Sequence, residues 1–179
     1  MKREIVEKLA IDVCIKENGH IPQLIVCGKR QSSIMILKHF PDTYEEKIKT
    51  MASAAIQTVI EQGEKIGELR RVFFISEAWM SVVKKKNLKT FLMPSKDPNR
   101  IEVLIISEFD VDNNEENVSS FEIKRNSENR IYNLERMKMG KGTGETKSAL
   151  LQSFIKAYYF AVLKKNELKS VVNEKIIIN

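Results

Sequence analysis

Two runs of β-branched and aromatic residues nearly repeat each other, and they limit what this chain can build more than any other feature. Val72-Phe73-Phe74-Ile75-Ser76-Glu77-Ala78-Trp79 returns thirty-one residues later as Val103-Leu104-Ile105-Ile106-Ser107-Glu108-Phe109-Asp110. Neither run has the three-and-four spacing of a helix, so both are expected to be central strands of one sheet, covered on at least one face. A chain of 179 residues can bury one continuous core without disulfides or metal, so residues 1–179 are expected to form a single domain.

The flanking segments supply the helices. Ile5, Val6, Leu9, Ala10, Val13 and Cys14 recur at helical spacing and predict an amphipathic helix over 2–17 with its apolar stripe on the core. Asn18-Gly19 offers the left-handed stop, and Pro22 prevents continuation. Residues 21–27 and 33–40 read as the strands of a hairpin turning at Gly28-Lys29-Arg30. Pro41-Asp42-Thr43 opens the longest helix, with Thr43 and Glu46 spaced as a capping box and Gly67 closing it. Residues 118–125 and 130–139 alternate apolar and charged side chains, so they should be more exposed strands than the central pair. A last helix is expected from Glu145 to about Asn166. Residues 170–179, ending in Lys175-Ile176-Ile177-Ile178, are read as an edge strand or a flexible tail.

These elements make an α/β chain of the α+β type. A mainly antiparallel sheet of five to six strands is packed with about three helices, in the order α-β-β-α-β-β-β-β-α. That layout is similar to the roadblock and profilin-like class of α/β domains, and the resemblance of layout implies an interaction platform.

Charge is segregated along the chain. Residues 80–100 hold six bases and one acid, 101–135 hold three bases and nine acids, and 136–169 hold eight bases and two acids. Such a pattern can steer a polyanion to one side, or match a second copy with acidic and basic segments paired across subunits. The longest apolar runs fall well short of a membrane span, so no membrane partner is expected. Cys14 and Cys27, with no export signal at Met1-Lys2-Arg3-Glu4, point to reduced thiols and a cytoplasmic location.

Several groupings bear on chemistry. The repeated Ser-Glu places Glu77 and Glu108 at matching strand positions; in parallel strands they would be neighbours able to share a proton, and in antiparallel strands they would be separated. Asp110 or Asp112 followed by Glu122-Ile123-Lys124 spells the order of restriction-type metal nucleases, which need their acids together around the metal. A hairpin centred on Asn114 would put Asp110 opposite Val118 and leave Glu122 four residues away, roughly 14 Å at strand rise. Gly140, Gly142 and Gly144 lie between a strand and a helix, where backbone amides can hold an anion, although Lys147 stands too far on for a P-loop. Lys84, Lys85, Lys86, Lys89, Lys96 and Arg100, with Trp79 nearby, interleave bases and aromatics as nucleic-acid contacts do. His20, His39, Cys14 and Cys27 have no zinc-finger spacing, so no metal or cofactor is expected.

The expected function is therefore non-catalytic: association with a protein partner or with a second copy, through the long helix or an exposed strand edge. The alternative is nucleic-acid binding through the basic 80–100 loop, extended to metal-dependent cleavage at Glu77, Glu108 or Glu122 with Lys124.

Overall fold

The computed structural model describes residues 1–81, 93–94, 96–138 and 148–165. Among them the chain forms α1 (Arg3–Glu17), β1 (Gln23–Gly28), β2 (Ser32–Ile36), α2 (Tyr44–Ile66), β3 (Leu69–Met80), β4 (Ile101–Asp110), β5 (Glu115–Arg125), β6 (Ile131–Arg136) and α3 (Ala149–Leu163). The two repeated runs are β3 and β4, and they pair at the middle of one sheet ordered β2-β1-β3-β4-β5-β6. Every neighbouring pair is antiparallel.

Alternation along β3 explains why both of its faces are apolar. Val72 and Phe74 point to one side, where Leu24, Val26, Met51, Ala55, Val59, Leu151, Phe154 and Tyr158 enclose them beneath α2 and α3. Phe73 and Ile75 point to the other side, into a second cluster with Val6, Ala10, Cys14, Leu104, Ile106, Phe121 and Ile123. A strand buried on both faces must read as a continuous apolar run.

The helix ends follow from their sequences. Asn18 caps α1 in the left-handed region at φ 57°. Thr43 caps α2: its hydroxyl accepts from the Glu46 amide and donates to the Glu46 carboxylate at 2.6 Å. Gly67, at φ 72°, closes α2 with its N–H on the Gly63 carbonyl. Ser148 caps α3 through the Leu151 amide; residues 145–147, where this helix was expected to begin, lie outside the described residues.

Three local expectations are corrected. The β4–β5 hairpin is tight, with Asp110 opposite Glu115 and Ser107 opposite Val118, because Asn114 adopts a left-handed conformation at φ 53° that closes the turn directly. β2 ends at Ile36 rather than running to residue 40: Leu37 still donates to the Pro22 carbonyl, and with Pro22 lacking an N–H the ladder goes no further. Most consequentially, the stripe of α1 is not wholly on the core. Val6, Ala10 and Cys14 are buried, whereas Ile5, Leu9 and Val13 are between 43% and 50% exposed.

Candidate functional site

The first turn of α1 puts Arg3 and Glu7 on one side of the helix, against the ends of β4, β5 and β6. Glu7, buried, takes the Arg3 guanidinium at 3.0 Å and the Ser119 hydroxyl at 2.5 Å, and pairs with Arg136. Arg3 continues to Glu108 at 3.7 Å, Glu108 to Arg71 at 3.6 Å, and Arg71 to Asp110 at 3.0 Å. Cations and anions alternate along this row, so each buried carboxylate is already neutralised by a guanidinium. Burial pushes the Glu108 carboxyl above its ordinary range, and Arg3 and Arg71 pull against that shift. This arrangement docks α1 on the sheet and offers no open side for a metal.

The last turn of α1 is held at the opposite end of the same face. Glu77 accepts the His20 amide at 2.5 Å and lies 3.9 Å from the Cys14 thiol. Arg125 grips Glu102 with two hydrogen bonds, at 2.7 and 2.8 Å, and reaches the Asn18 carboxamide oxygen at 3.2 Å. Burial and the nearby Glu77 raise Cys14 to about 12. A thiol held that high is not a nucleophile near neutrality, so Cys14, Glu77 and His20 do not make a thiol-based catalytic group.

The antiparallel register keeps the two repeated acids apart. Glu108 faces Phe73 and Glu77 faces Leu104, so four residues, roughly 13 Å of strand, lie between them. Glu122 and Lys124 join neither acid. Phe121 and Ile123 face α1, so Glu122 and Lys124 point to the opposite face, where they pair with each other. Asp110 stands seven residues along β5 from Glu122, on the order of 23 Å at strand rise. Among the described residues no group of three His, Cys, Asp or Glu side chains is placed to hold a metal.

Glu77 gives a pH-dependent expectation. Its carboxyl is raised above 4.5, chiefly by burial. Below 4.5 it is protonated in both the folded and unfolded states, and the folded state carries no charge penalty there. As the pH rises through the elevated folded value that advantage is lost. Glu77→Gln stays neutral throughout, so its stability relative to the unmodified chain should increase between about pH 4 and about pH 7. Urea unfolding at the two pH values checks this, and a flat or inverted difference would contradict the assignment.

Of the basic set, Trp79, Lys96 and Arg100 are described. Trp79 is half exposed, with the Arg100 guanidinium 4.5 Å over its ring, so one face of the indole is taken within the chain. Lys84, Lys85, Lys86, Lys89, Gly140, Gly142 and Gly144 lie outside the described residues. The acidic segment is also largely occupied internally: Glu102, Glu108, Asp110, Asp112 and Glu122 all have cationic partners in this chain.

What stands out instead is apolar. Ile34 pairs with Ile25 and Ile36 with Gln23, so both isoleucines share the face that carries α1, and they are 59% and 55% exposed. Ile36, Val13 and Ile21 line a concavity of about 660 Å³ together with Pro22, His20 and Lys38. Farther along, Met1 and Ile5 meet Cys27 and Arg71. Exposed Ile5, Leu9 and Val13 follow one another at i, i+4 and i+8, so they form a lateral wall of α1 beside the floor that Ile34 and Ile36 provide. Helical spacing alone did not reveal this. A sharper signal is the segment from Gln31 to Leu37, an uncharged strand with apolar side chains on both faces.

Among the described residues the backbone of β2 is open on the same side. Leu37 donates to the Pro22 carbonyl and Gly28 to the Gln31 carbonyl. By strand alternation Gln31, Ser33, Met35 and Leu37 spend their backbone groups on β1, and the N–H and C=O of Ser32, Ile34 and Ile36 point outward. The far edge is different. β6 presents Tyr132, Asn133, Glu135 and Arg136 to solvent, charges of the kind that discourage edge pairing. Among the described residues no helix is long and apolar enough to cross a membrane. Set against models of known protein families, curated proteins and solved structures, the chain matches none of them.

Proposed function

We propose that this chain is a non-catalytic association domain that binds a second copy of itself across the β2 edge. The observation that carries the reading is an uncharged edge strand whose two outward isoleucines adjoin the exposed wall of α1. Water-exposed aliphatic side chains next to unpaired strand amides are the surface that folded proteins otherwise protect with charge or proline. A second copy suits it because antiparallel pairing of one strand with itself is self-complementary about a two-fold axis. With that axis at Ile34, the outward groups of Ser32 would meet those of Ile36, and Ile34 would face its own copy. The charge pattern is not needed for this contact, since the acids of 101–135 named above are paired within the chain.

Replacing Ile34 and Ile36 together by lysine tests it. Both side chains are exposed, so the fold should survive, but two charges would lie against a like pair in the dimer. Self-association followed by sedimentation velocity over a concentration series should weaken at least about ten-fold, or ~1.4 kcal/mol. Charge reversal of Lys84, Lys85 and Lys86 should leave it unchanged. An unmodified chain that stays monomeric throughout the series would sink the proposal, as would association that follows the lysines rather than the isoleucines.

A further inference from the structure

We infer that the concavity at the C-terminal end of α1 is a binding site for a small aliphatic carboxylate. Its hydrocarbon lies on Val13, Ile21, Pro22 and Ile36, and its acid group sits between Lys38 and the His20 ring. The site goes beyond the self-association proposed above and does not depend on it. The space measures about 660 Å³, within the roughly 300–1,000 Å³ usual for small-molecule pockets. Val13, Ile21 and Ile36 are between 43% and 58% exposed, so the described chain leaves much of their apolar surface for a ligand to cover.

The polar lining selects the head group. Lys38 is exposed and has no acidic partner among the described residues. Glu17 lines the same space with Lys16 3.7 Å away, so the uncompensated charge there is positive. His20 is only 6% exposed, and its Nδ1 is buried without a hydrogen-bond partner; its Nε2 is 2.8 Å from the Gln23 amide nitrogen. A buried nitrogen left unpaired is a cost that a bound acceptor can remove. One lysine and one imidazole are too few donors for a phosphate group, whereas a carboxylate needs a single counter-charge. Burial holds the imidazole below its ordinary range, with the Ile21 backbone pulling the other way. A bound anion favours the charged ring, so binding takes up a proton and tightens as the pH falls. Cys14 of α1 and Glu77 of β3 also titrate at this corner, with Glu102 and Arg125 next to Glu77.

The test titrates the full chain with octanoate, octanol and octylamine, read by calorimetry and by amide chemical shifts. Octanoate should bind at least about ten-fold more tightly than octanol, and octylamine more weakly than octanoate, with the shifts centred on Gly19, Ile21, Ile36 and Lys38. Lys38→Gln changes an exposed side chain, so the fold should survive; it should weaken octanoate by about three-fold and leave octanol unchanged. Between about pH 8 and about pH 6 octanoate affinity should rise. His20→Asn should abolish that rise and Glu77→Gln should keep it; if His20→Asn does not fold, direct NMR titration of the His20 ring with and without octanoate reads the same proton. Ile34→Lys lies at the proposed two-fold edge and outside the concavity, so it should leave octanoate binding intact, which separates a failed dimer from a failed site. Octanol binding as tightly as octanoate overturns the inference. Indifference to Lys38→Gln, an affinity that does not rise as the pH falls, or shifts centred on Phe160 and Leu163 of α3 would each do the same.

Discussion

Truncating Phe73 to alanine is expected to remove about 3–5 kcal/mol of folding stability. Its ring is fully buried at the centre of β3, between Ile25 on β1 and Glu108 on β4 in the cross-strand register. The side chain faces the cluster under α1, with Val6, Ala10, Ile75 and Ile106 in the same layer. This layer has one helix among the described residues, so less can shift into the cavity than in the two-helix layer opposite. A domain of this size has on the order of 5–15 kcal/mol in total, so the substitution should remove a large part of it. Urea unfolding should show a lower midpoint with an unchanged slope. A loss below about 1 kcal/mol would mean that α1 does not close over the strand as described.

Gly28→Ala should be nearly as damaging, for a reason that the side-chain inventory hides. A Cβ at this position would lie 2.2 Å from the Ile66 carbonyl oxygen and 2.7 Å from its carbonyl carbon. Both are backbone atoms, and neither can swing aside. The Ile66 carbonyl is held by the Arg30 amide at 3.1 Å, and the Lys29 amide is tied to the Glu68 carbonyl at 2.8 Å. The close approach is thus fixed from both sides, and relief requires the end of α2 to move away from β1. We expect a loss of about 3 kcal/mol, at the upper end of overpacking costs, read as a lowered thermal midpoint. A change below about 0.5 kcal/mol would show that the two backbones part easily. Because β2 follows directly from this turn, the same variant should also disturb the edge on which association depends.

Much of the fold was legible residue by residue. The paired runs at 72–79 and 103–110 announce central strands covered on at least one face, and the structure covers both. Asn18, Thr43 with Glu46, and Gly67 mark helix ends through their own backbone and side-chain chemistry, which acts locally and can be read locally. The need for glycine at residue 28 is different in kind. The sequence presents Gly28-Lys29-Arg30 as a turn, but what excludes a side chain there is a helix terminus almost forty residues away.

The candidate site was the least legible part. Helical periodicity places Ile5, Val6, Leu9, Ala10, Val13 and Cys14 on one side of α1 and says nothing about the width of the layer beside it. In the folded chain Val6, Ala10 and Cys14 meet the sheet, while the lateral half of the stripe looks out over β1 and β2. The Ser-Glu repeat makes the same point with charge: the spelling is identical, but antiparallel pairing sets Glu108 against Phe73 and Glu77 against Leu104.

By itself the sequence determined which segments are strands, which are helices and where α1 and α2 stop, since those outcomes depend on neighbours within a few residues. The tertiary structure alone decided the direction of β4 against β3, the separation of the acids and the exposure of Ile34 and Ile36. Each of those is a property of two segments brought together from a distance, and no single segment carries it.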